Sequence, residues 1–222
     1  YPNFKRNKNN KPAFKSIMIK KSTLLSHIWP KFITFIRILQ FQNQQSRKST
    51  SGKPPHHRWF TKILNMTDKE NKRKPKIAKP FIKWAGGKGS LVKVLAEHLP
   101  AGFCDIKNVT YIEPFVGGGA MLFYMLTHFP NISRVVINDV NADLILCYQL
   151  IKNNPELLIE HLLRIRNEYY LLQTMGEKSI YYYQMRDKYN NKITNFEERA
   201  ACFIFLNKTC FNGLYRVNTS GR

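Results

Sequence analysis

The sequence predicts an α/β fold in which a small parallel sheet is followed by a helical subdomain. Apolar strand patterns at 110–115 and 134–139 alternate with helical patterns at 120–129 and 142–152. Strands that alternate with helices in this way pair in parallel through right-handed crossovers. A glycine triplet joins the first of these strands to its helix, and from residue 154 onward the patterns are helical apart from one turn signal near the end.

The sheet-forming half begins with a short apolar segment, 81–84, that runs into a glycine-rich loop. Ser90 is placed to cap a helix that continues to about Leu99, and Pro100 stops that helix. The strand and helix pairs described above then follow without long insertions.

Two helices open the second half. Asn154 is placed to cap a helix over 155–172, whose first residue is a proline. Proline suits that position because the backbone N–H that it lacks would have no partner there. A second helix is predicted over roughly 179–189.

A third helix and a turn close the chain. Asn195 and Glu198 form a pair like a capping box, which predicts a helix that continues to about Lys208. Asn212-Gly213 is a hairpin turn signal within 210–217.

Charge sets residues 1–65 apart, and the sequence patterns divide the remainder into three parts. The 222 residues have a net charge of +22, but residues 1–65 hold 14 of the 36 Lys and Arg and no Asp or Glu, which leaves +8 for the remainder. We expect 1–65 to be a disordered or spurious extension, Met66 to be the native start, and 66–80 to be a charged leader. A cofactor-binding α/β domain at 81–153 and a target-recognition domain at 154–222, each incomplete, would follow. A basic domain suits a polyanion such as nucleic acid, although a lysine-rich surface would give the same charge.

Membrane, metal and disulfide classes are disfavoured. A membrane helix needs about 20 apolar residues, and the nearest run, 24–41, is interrupted by charges and a proline. That run would instead suit an amphipathic membrane-surface helix or a spurious extension. The cysteines fit neither a zinc site nor a disulfide framework, so we expect no metal and a reducing, cytoplasmic compartment. They are Cys104, Cys147, Cys202 and Cys210.

The glycine loop after the first strand is the strongest local signal. Gly117 and Gly119 have the spacing of the first two glycines of a dinucleotide fingerprint, but Leu122 occupies the third position. That departure weakens a pyrophosphate-binding interpretation, and with it an NAD-dependent enzyme. The glycines alone favour a ligand loop only modestly over a tight structural turn.

An acid at the end of the second strand favours a nucleoside ligand. Asp139 follows the buried strand residues 135–137, and an acid at this place in a doubly wound sheet accepts hydrogen bonds from ribose hydroxyls. Asp139, Asn141 or Asp143 could instead cap the following helix.

The segment 81–90 does not match the P-loop (Walker A) pattern that binds nucleoside triphosphates. Ile82 stands where the first glycine of the Walker A pattern belongs, and Gly89 replaces the magnesium-binding Ser or Thr. Trp84 would stack on an adenine ring or a sulfonium, or would serve as a partly buried core anchor.

These segments together resemble the Dam-type (D12 class) DNA adenine-N6 methyltransferases over about 79–222. The resemblance implies a Rossmann-like methyltransferase sheet, incomplete here, with a helical target-recognition subdomain. It rests on four motifs in the family's order: FIKWAGGKGSL, YIEPFVGGGAMLF, INDVNADL and FLNKTCFNGLYRVNTSGR.

The resemblance also implies a cofactor, a partner and their contact residues. The cofactor is S-adenosyl-L-methionine, with Asp139 on the ribose hydroxyls. The partner is double-stranded DNA with a GATC-like site, and the biological role is that of an orphan enzyme or of the modification partner of a restriction endonuclease. The implied cofactor residues are Trp84, Ala85, Gly86, Lys88, Glu113, Phe115, Gly117 and Asp139. The implied DNA-binding residues are Lys83, Phe211, Asn212, Leu214 and Arg216.

The catalytic segment of that family is absent from these 222 residues. Relatives position the target adenine with an Asp-Pro-Pro-Tyr segment, and the only Pro-Pro here is Pro54-Pro55, which follows a lysine. In this motif order the segment would follow Arg222. We therefore expect the chain by itself to be inactive, and a non-catalytic nucleic-acid-binding module is the alternative function.

Overall fold

The computed structural model describes residues 17–20, 79–191, 193–213 and 216, and predictions that fall elsewhere lie outside it. The first half contains three strands and three helices, with short 3-10 turns at Lys88–Ser90 and Phe103–Asp105. In chain order they are β1 (Ile17–Lys20), α1 (Val92–Glu97), β2 (Val109–Glu113), α2 (Ala120–His128), β3 (Ile132–Ile137) and α3 (Ala142–Asn153). The second half adds α4 (Pro155–Leu171), α5 (Met175–Asn190), α6 (Phe196–Thr209) and a 3-10 turn at Phe211–Gly213.

The three strands form one sheet in the order β1-β3-β2. β2 and β3 pair in parallel, with Glu113 opposite Ile137, as the alternation of strands and helices predicted. β1 pairs with β3 in the antiparallel direction, with Ile17 opposite the same Ile137. The parallel pair brings the carboxyl ends of β2 and β3 to one edge, where a doubly wound sheet binds its ligands.

The strand β1 is a feature that the sequence analysis did not predict. Residues 1–65 were assigned to an extension without structure, yet 17–20 pair with β3. Ile17 is buried while Met18 is exposed, which is the alternation of a half-buried strand. Four residues are too short a run for the pattern to stand out in the sequence.

One apolar core contains residues of the sheet and of the helices that follow β2 and β3. Ile132, Val135 and Ile137 of β3 are buried. They belong to the same apolar cluster as buried residues of α2 and α3. These apolar runs hold the two helices against the sheet and fix the loops between strands and helices.

The helical half is organised around α6, which packs against α3, α4 and α5. Ala200 and Ala201 are fully buried on α6 and leave room for close approach of its neighbours. The predicted cap of α6 is present, because the Asn195 side chain accepts a 2.7 Å hydrogen bond from the Glu198 N–H. α5 begins before its predicted start, since Thr174 and Glu177 form a full capping box there.

Three other local predictions need correction. Ser90 does not cap α1, because it belongs to the 3-10 turn Lys88–Ser90 and the cap residue of α1 is Leu91, without a side-chain cap. Asn154 precedes α4, but its side chain makes no capping hydrogen bond, although Pro155 does begin the helix. Phe211–Gly213 form a 3-10 turn rather than the tip of a β-hairpin. Of the residues beyond 213, the structure describes only Arg216.

Within the ranges just given, no helix combines the length and apolar character needed to cross a membrane. The same residues contain no cluster of His, Cys, Asp and Glu that would hold a metal ion.

Candidate functional site

A cleft of about 570 Å³ lies between the loop 82–89 and the carboxyl ends of β2 and β3. Its volume falls within the range of about 300–1,000 Å³ that is usual for small-molecule sites. All eight residues that the resemblance implies for the cofactor line it: Trp84, Ala85, Gly86, Lys88, Glu113, Phe115, Gly117 and Asp139. The three segments that carry these residues are distant in sequence. The parallel pairing of β2 and β3 brings two of them together, and the loop 82–89 packs against the glycine loop through Trp84 and Gly117.

The side chain of Asp139, just after β3, is hydrogen-bonded to the glycine loop. Its Oδ2 accepts a 2.9 Å hydrogen bond from the Gly117 N–H, and its Oδ1 accepts one of 3.0 Å from the Asn141 N–H. The residue is 9% exposed. A carboxylate offers about four acceptor positions, so each oxygen keeps a lone pair for a further donor.

The competing roles proposed for Asp139 and Asn141 are now separated. The Asn141 side chain accepts a 2.8 Å hydrogen bond from the Leu144 N–H and is the cap of α3. Asp139 makes no capping bond and instead fixes the glycine loop. This division leaves the Asp139 carboxylate at the cleft.

Glu113 is a second carboxylate at the cleft, at the end of β2, and it is 4% exposed. Its Oε1 accepts a 2.9 Å hydrogen bond from Lys88 Nζ, and its Oε2 accepts one of 3.0 Å from the Tyr111 hydroxyl. Lys88 Nζ also donates to the Phe115 carbonyl at 3.0 Å. These two donors stabilise a charge whose burial would otherwise be costly.

Tyr111 stays a hydrogen-bond donor over the physiological pH range. Burial, and then the charge of Glu113 and the hydrogen bond to it, raise the pKa of the Tyr111 hydroxyl. The phenol therefore remains protonated and keeps donating to the carboxylate. Sequence analysis missed this role because Tyr111 reads as an ordinary strand residue.

The glycine loop depends on close contacts at two positions. Gly117 has φ +51°, and a Cβ there would lie 3.1 Å from the Trp84 ring. Gly119 has φ +82°, and a Cβ there would lie 2.6 Å from the Tyr148 hydroxyl oxygen. That hydroxyl donates a 3.0 Å hydrogen bond to the Gly117 carbonyl. Side chains at either glycine would push away the groups that shape the cleft.

Trp84 links the cleft to the helical half. It is half-buried, and its ring centroid lies 6.1 Å from that of Phe203 on α6. The preceding carbonyl, of Lys83, accepts a 2.9 Å hydrogen bond from Asn207 Nδ2. The core-anchor interpretation of Trp84 and the ligand interpretation are thus compatible, because one part of the ring packs while the residue still lines the cleft.

A family model, described as the D12 class N6 adenine-specific DNA methyltransferase, matches residues 84–222. This match covers more than half of the chain. The chain belongs to this family.

Individual relatives agree with the family match. The Type II methyltransferase M.MjaIII of Methanocaldococcus jannaschii is 48% identical over 145 residues, which are 64% of this chain and 50% of that protein. The DNA adenine methylase of Escherichia coli strain K12 is 35% identical over 141 residues, 64% of this chain and 44% of that protein. The DNA N-6-adenine-methyltransferase of Escherichia phage P1 is 37% identical over 155 residues, 69% of this chain and 18% of that protein. The chain spans about half the length of the first two.

The residues that the D12 resemblance implies for DNA lie on two elements. Lys83 is exposed on the loop 82–89, which we call the cofactor loop after its proposed role, and Phe211 is 79% exposed on the 3-10 turn. Arg216 is exposed, Asn212 belongs to the turn, and Leu214 lies outside the described residues. The turn approaches the loop, because a Cβ at Gly213 would lie 3.3 Å from Lys83 Cδ.

The donor and acceptor groups of the cleft suit the cofactor of a D12 methyltransferase. S-adenosyl-L-methionine carries a cationic sulfonium and ribose hydroxyls, and the buried carboxylates of Glu113 and Asp139 have the chemistry to hold these two groups respectively. Its adenine ring matches the aromatic face of Trp84. It has no phosphate, which agrees with a glycine loop that lacks the third glycine of the dinucleotide fingerprint.

Proposed function

We propose that this chain provides the cofactor site and the DNA-recognition elements of an enzyme that methylates N6 of adenine in a short double-stranded DNA sequence. The observation that carries the proposal is the single cleft in which Trp84, Glu113 and Asp139 meet. The family supplies the reaction class, and the cleft supplies groups of the right chemistry.

Each end of the cleft would hold a different part of S-adenosyl-L-methionine. Asp139 would accept hydrogen bonds from the ribose hydroxyls through its free lone pairs. Glu113, Phe115 and Gly117 would surround the methionine and sulfonium end. The residues of the cofactor loop would close over the ligand: Trp84, Ala85, Gly86 and Lys88. When bound, the cofactor supplies a methyl group activated by the positive sulfur.

DNA would bind across the turn and the cofactor loop. Lys83 would approach the first base pair of the site, and Phe211 or Leu214 would enter the base stack. Arg216 would read a guanine through its O6 and N7 acceptors, and Asn212 would lie at the tip of the contact. We propose a GATC-like site.

The target adenine has to leave the duplex before transfer, at a cost of a few kcal/mol. Its exocyclic nitrogen is a weak nucleophile because the lone pair delocalises into the ring, so an acceptor near the N6 hydrogens would favour attack. No Asp/Asn-Pro-Pro-aromatic segment that would supply this acceptor occurs in the 222 residues. We therefore expect the chain as given to bind ligands without transferring methyl groups.

A non-catalytic nucleic-acid-binding module is the second candidate, and a stop codon directly after codon 222 is the observation that would favour it. The biological role would be modification alongside a restriction endonuclease, or an orphan activity. We propose the cytoplasm as the compartment, since the proposed substrate is DNA and the spacing of the four cysteines fits no disulfide framework.

A methylation assay with mapped products tests the proposal. The protein translated from the coding sequence extended past codon 222 is incubated with duplex DNA and tritiated S-adenosyl-L-methionine, and modified adenines are located by sequencing. We expect label at N6 of adenine within one short sequence, and no label with the 222-residue chain alone. A stop codon at position 223 would favour the binding module, and transfer by the 222-residue chain alone would refute the expected inactivity.

A further inference from the structure

One face of α6 contacts the back of the cofactor loop through two side chains. Phe203 and Asn207 are four residues apart, so they lie on the same side of the helix, one above the other. The Phe203 ring packs 6.1 Å from Trp84, and Asn207 Nδ2 donates a 2.9 Å hydrogen bond to the Lys83 carbonyl. The loop that borders the cleft is therefore fixed from the helical half.

The same part of α6 also supports the 3-10 turn proposed to contact DNA. A Cβ built at Gly213 would lie 3.4 Å from the Asn207 carbonyl oxygen and 3.3 Å from Lys83 Cδ. Cys210 Sγ lies 3.3 Å from the Asn207 carbonyl, and the Gly213 N–H bonds to the Cys210 carbonyl at 2.9 Å. Asn207 at the end of α6 therefore contacts both the cofactor loop and the turn.

Asn207 is an unusual residue for this place if its role is only packing. It is 2% exposed, and its Oδ1 has no hydrogen-bond partner in the part of the chain that the structure describes. A buried polar atom without a partner costs stability, so the amide is not explained by packing alone. What the amide adds is the directed bond from Nδ2 to the loop.

We propose that Asn207 is a positioning residue that couples the cofactor cleft to the DNA-recognition turn. A shift of the turn on DNA would move the end of α6 and, through Nδ2, the carbonyl that precedes Trp84. Cofactor and DNA would then bind with a coupling free energy, and each would change the affinity of the other by the same factor. This inference rests on the proposed function, since it takes the cleft and the turn as the two binding sites.

The experiment measures that factor directly. The dissociation constant of S-adenosyl-L-homocysteine for the 222-residue chain is determined by calorimetry, alone and with a saturating duplex that carries one GATC. We expect about a fivefold change on adding DNA, the size of one net hydrogen bond, and a factor near one in Asn207→Leu. Lys188→Met is the matched control, because it breaks the 2.7 Å ion pair with Glu198 at the opposite end of α6. That control should keep the wild-type factor.

The outcomes separate the two proposals. A wild-type chain that binds neither ligand refutes the proposed function, and the coupling fails with it. A wild-type chain that binds both ligands overturns only the coupling if its factor is one, or if Asn207→Leu keeps the wild-type factor.

A second variant covers the case in which Asn207→Leu melts at a clearly lower temperature than the wild type. Gly213→Ala puts a side chain on a left-handed backbone (φ +63°) and so strains the turn, at a residue that does not line the cleft. The flexible Lys83 side chain accommodates the added Cβ, so the strain would reach the loop through the end of α6 and Asn207. We expect S-adenosyl-L-homocysteine binding without DNA to weaken several-fold. Unchanged binding in this variant would overturn the proposal, because strain in the turn would then not reach the loop.

Discussion

Replacing Asp139 with asparagine separates its structural role from its proposed ligand role. The carboxylate accepts two backbone hydrogen bonds, from the Gly117 N–H at 2.9 Å and from the Asn141 N–H at 3.0 Å. Hydrogen bonds to a charged group each contribute about 1.5–3 kcal/mol. The amide oxygen of asparagine can keep one of them, while its NH₂ group faces the other N–H. We expect the free energy of unfolding to fall by about 2 kcal/mol.

The assay is thermal unfolding with and without S-adenosyl-L-methionine. A loss of about 2 kcal/mol lowers the melting temperature of a domain of this size by about 4–8 °C. If Asp139 also accepts the ribose hydroxyls, the affinity falls about tenfold or more, and the ligand raises the melting temperature of Asp139→Asn less than that of the wild type. Asp105→Asn, on an exposed 3-10 turn, is the matched control and should behave as the wild type. An Asp139→Asn protein that melts lower but binds with wild-type affinity would remove the ribose assignment, and one unchanged in both would refute the structural reasoning too.

Three further predictions concern stability and reactivity. Arg199→Met breaks a partly buried pair in which the guanidinium donates to both oxygens of Asp143, at 2.6 and 2.8 Å, and should cost about 2 kcal/mol in urea denaturation; an unchanged midpoint would contradict this. Burial raises the pKa of the Cys202 thiol to about 12, which lowers its thiolate fraction roughly a thousandfold, so iodoacetamide at pH 8 should label the exposed Cys104 in the native protein and Cys202 only after unfolding. The hydrogen bond from Lys188 lowers the pKa of Glu198. The stability that ionised Glu198 contributes is therefore complete above the ordinary pKa near 4.5, and it is lost as the pH falls through the lower pKa of the native state. Glu198→Gln should therefore be less stable than the wild type by under about 1 kcal/mol at pH 7, and a gap that does not shrink in urea titrations at acid pH would refute this.

The sequence was sufficient for the features that depend on local chemistry and simple periodicity. The parallel pair β2 and β3 and the starts of α4 and α6 follow from rules that need only neighbouring residues. The loop 82–89 was placed at the cleft by the family resemblance. Asn195 could be assigned as a cap because the capping geometry spans four residues. Asp139 could be placed at the cleft because strand ends in parallel sheets share an edge.

The features that the sequence did not predict depend on contacts between distant segments. The hydrogen bond from Tyr111 to Glu113 is local, but its importance comes from burial, which periodicity did not indicate. Asn207 lies within an ordinary helical pattern, and its partner Lys83 is 124 positions away. The β1 strand pairs with residues more than a hundred positions later, and nothing within four residues specifies that partner.

The turn at Phe211–Gly213 shows a different limit. Asn-Gly is a strong hairpin signal only when strands flank it. Here α6 runs to Thr209 and Gly213 donates to the Cys210 carbonyl, so the segment closes as a 3-10 turn against the helix end. The helix before the dipeptide decided the conformation.

Isothermal calorimetry of S-adenosyl-L-methionine against the 222-residue chain tests the central claim most directly, since the claim is that Trp84, Glu113 and Asp139 form one nucleoside-sulfonium site. We predict saturable binding of one ligand per chain, with a dissociation constant on the order of 1–100 µM, and no comparable binding of NAD. Absence of saturable heat, or equal binding of NAD, would contradict the account.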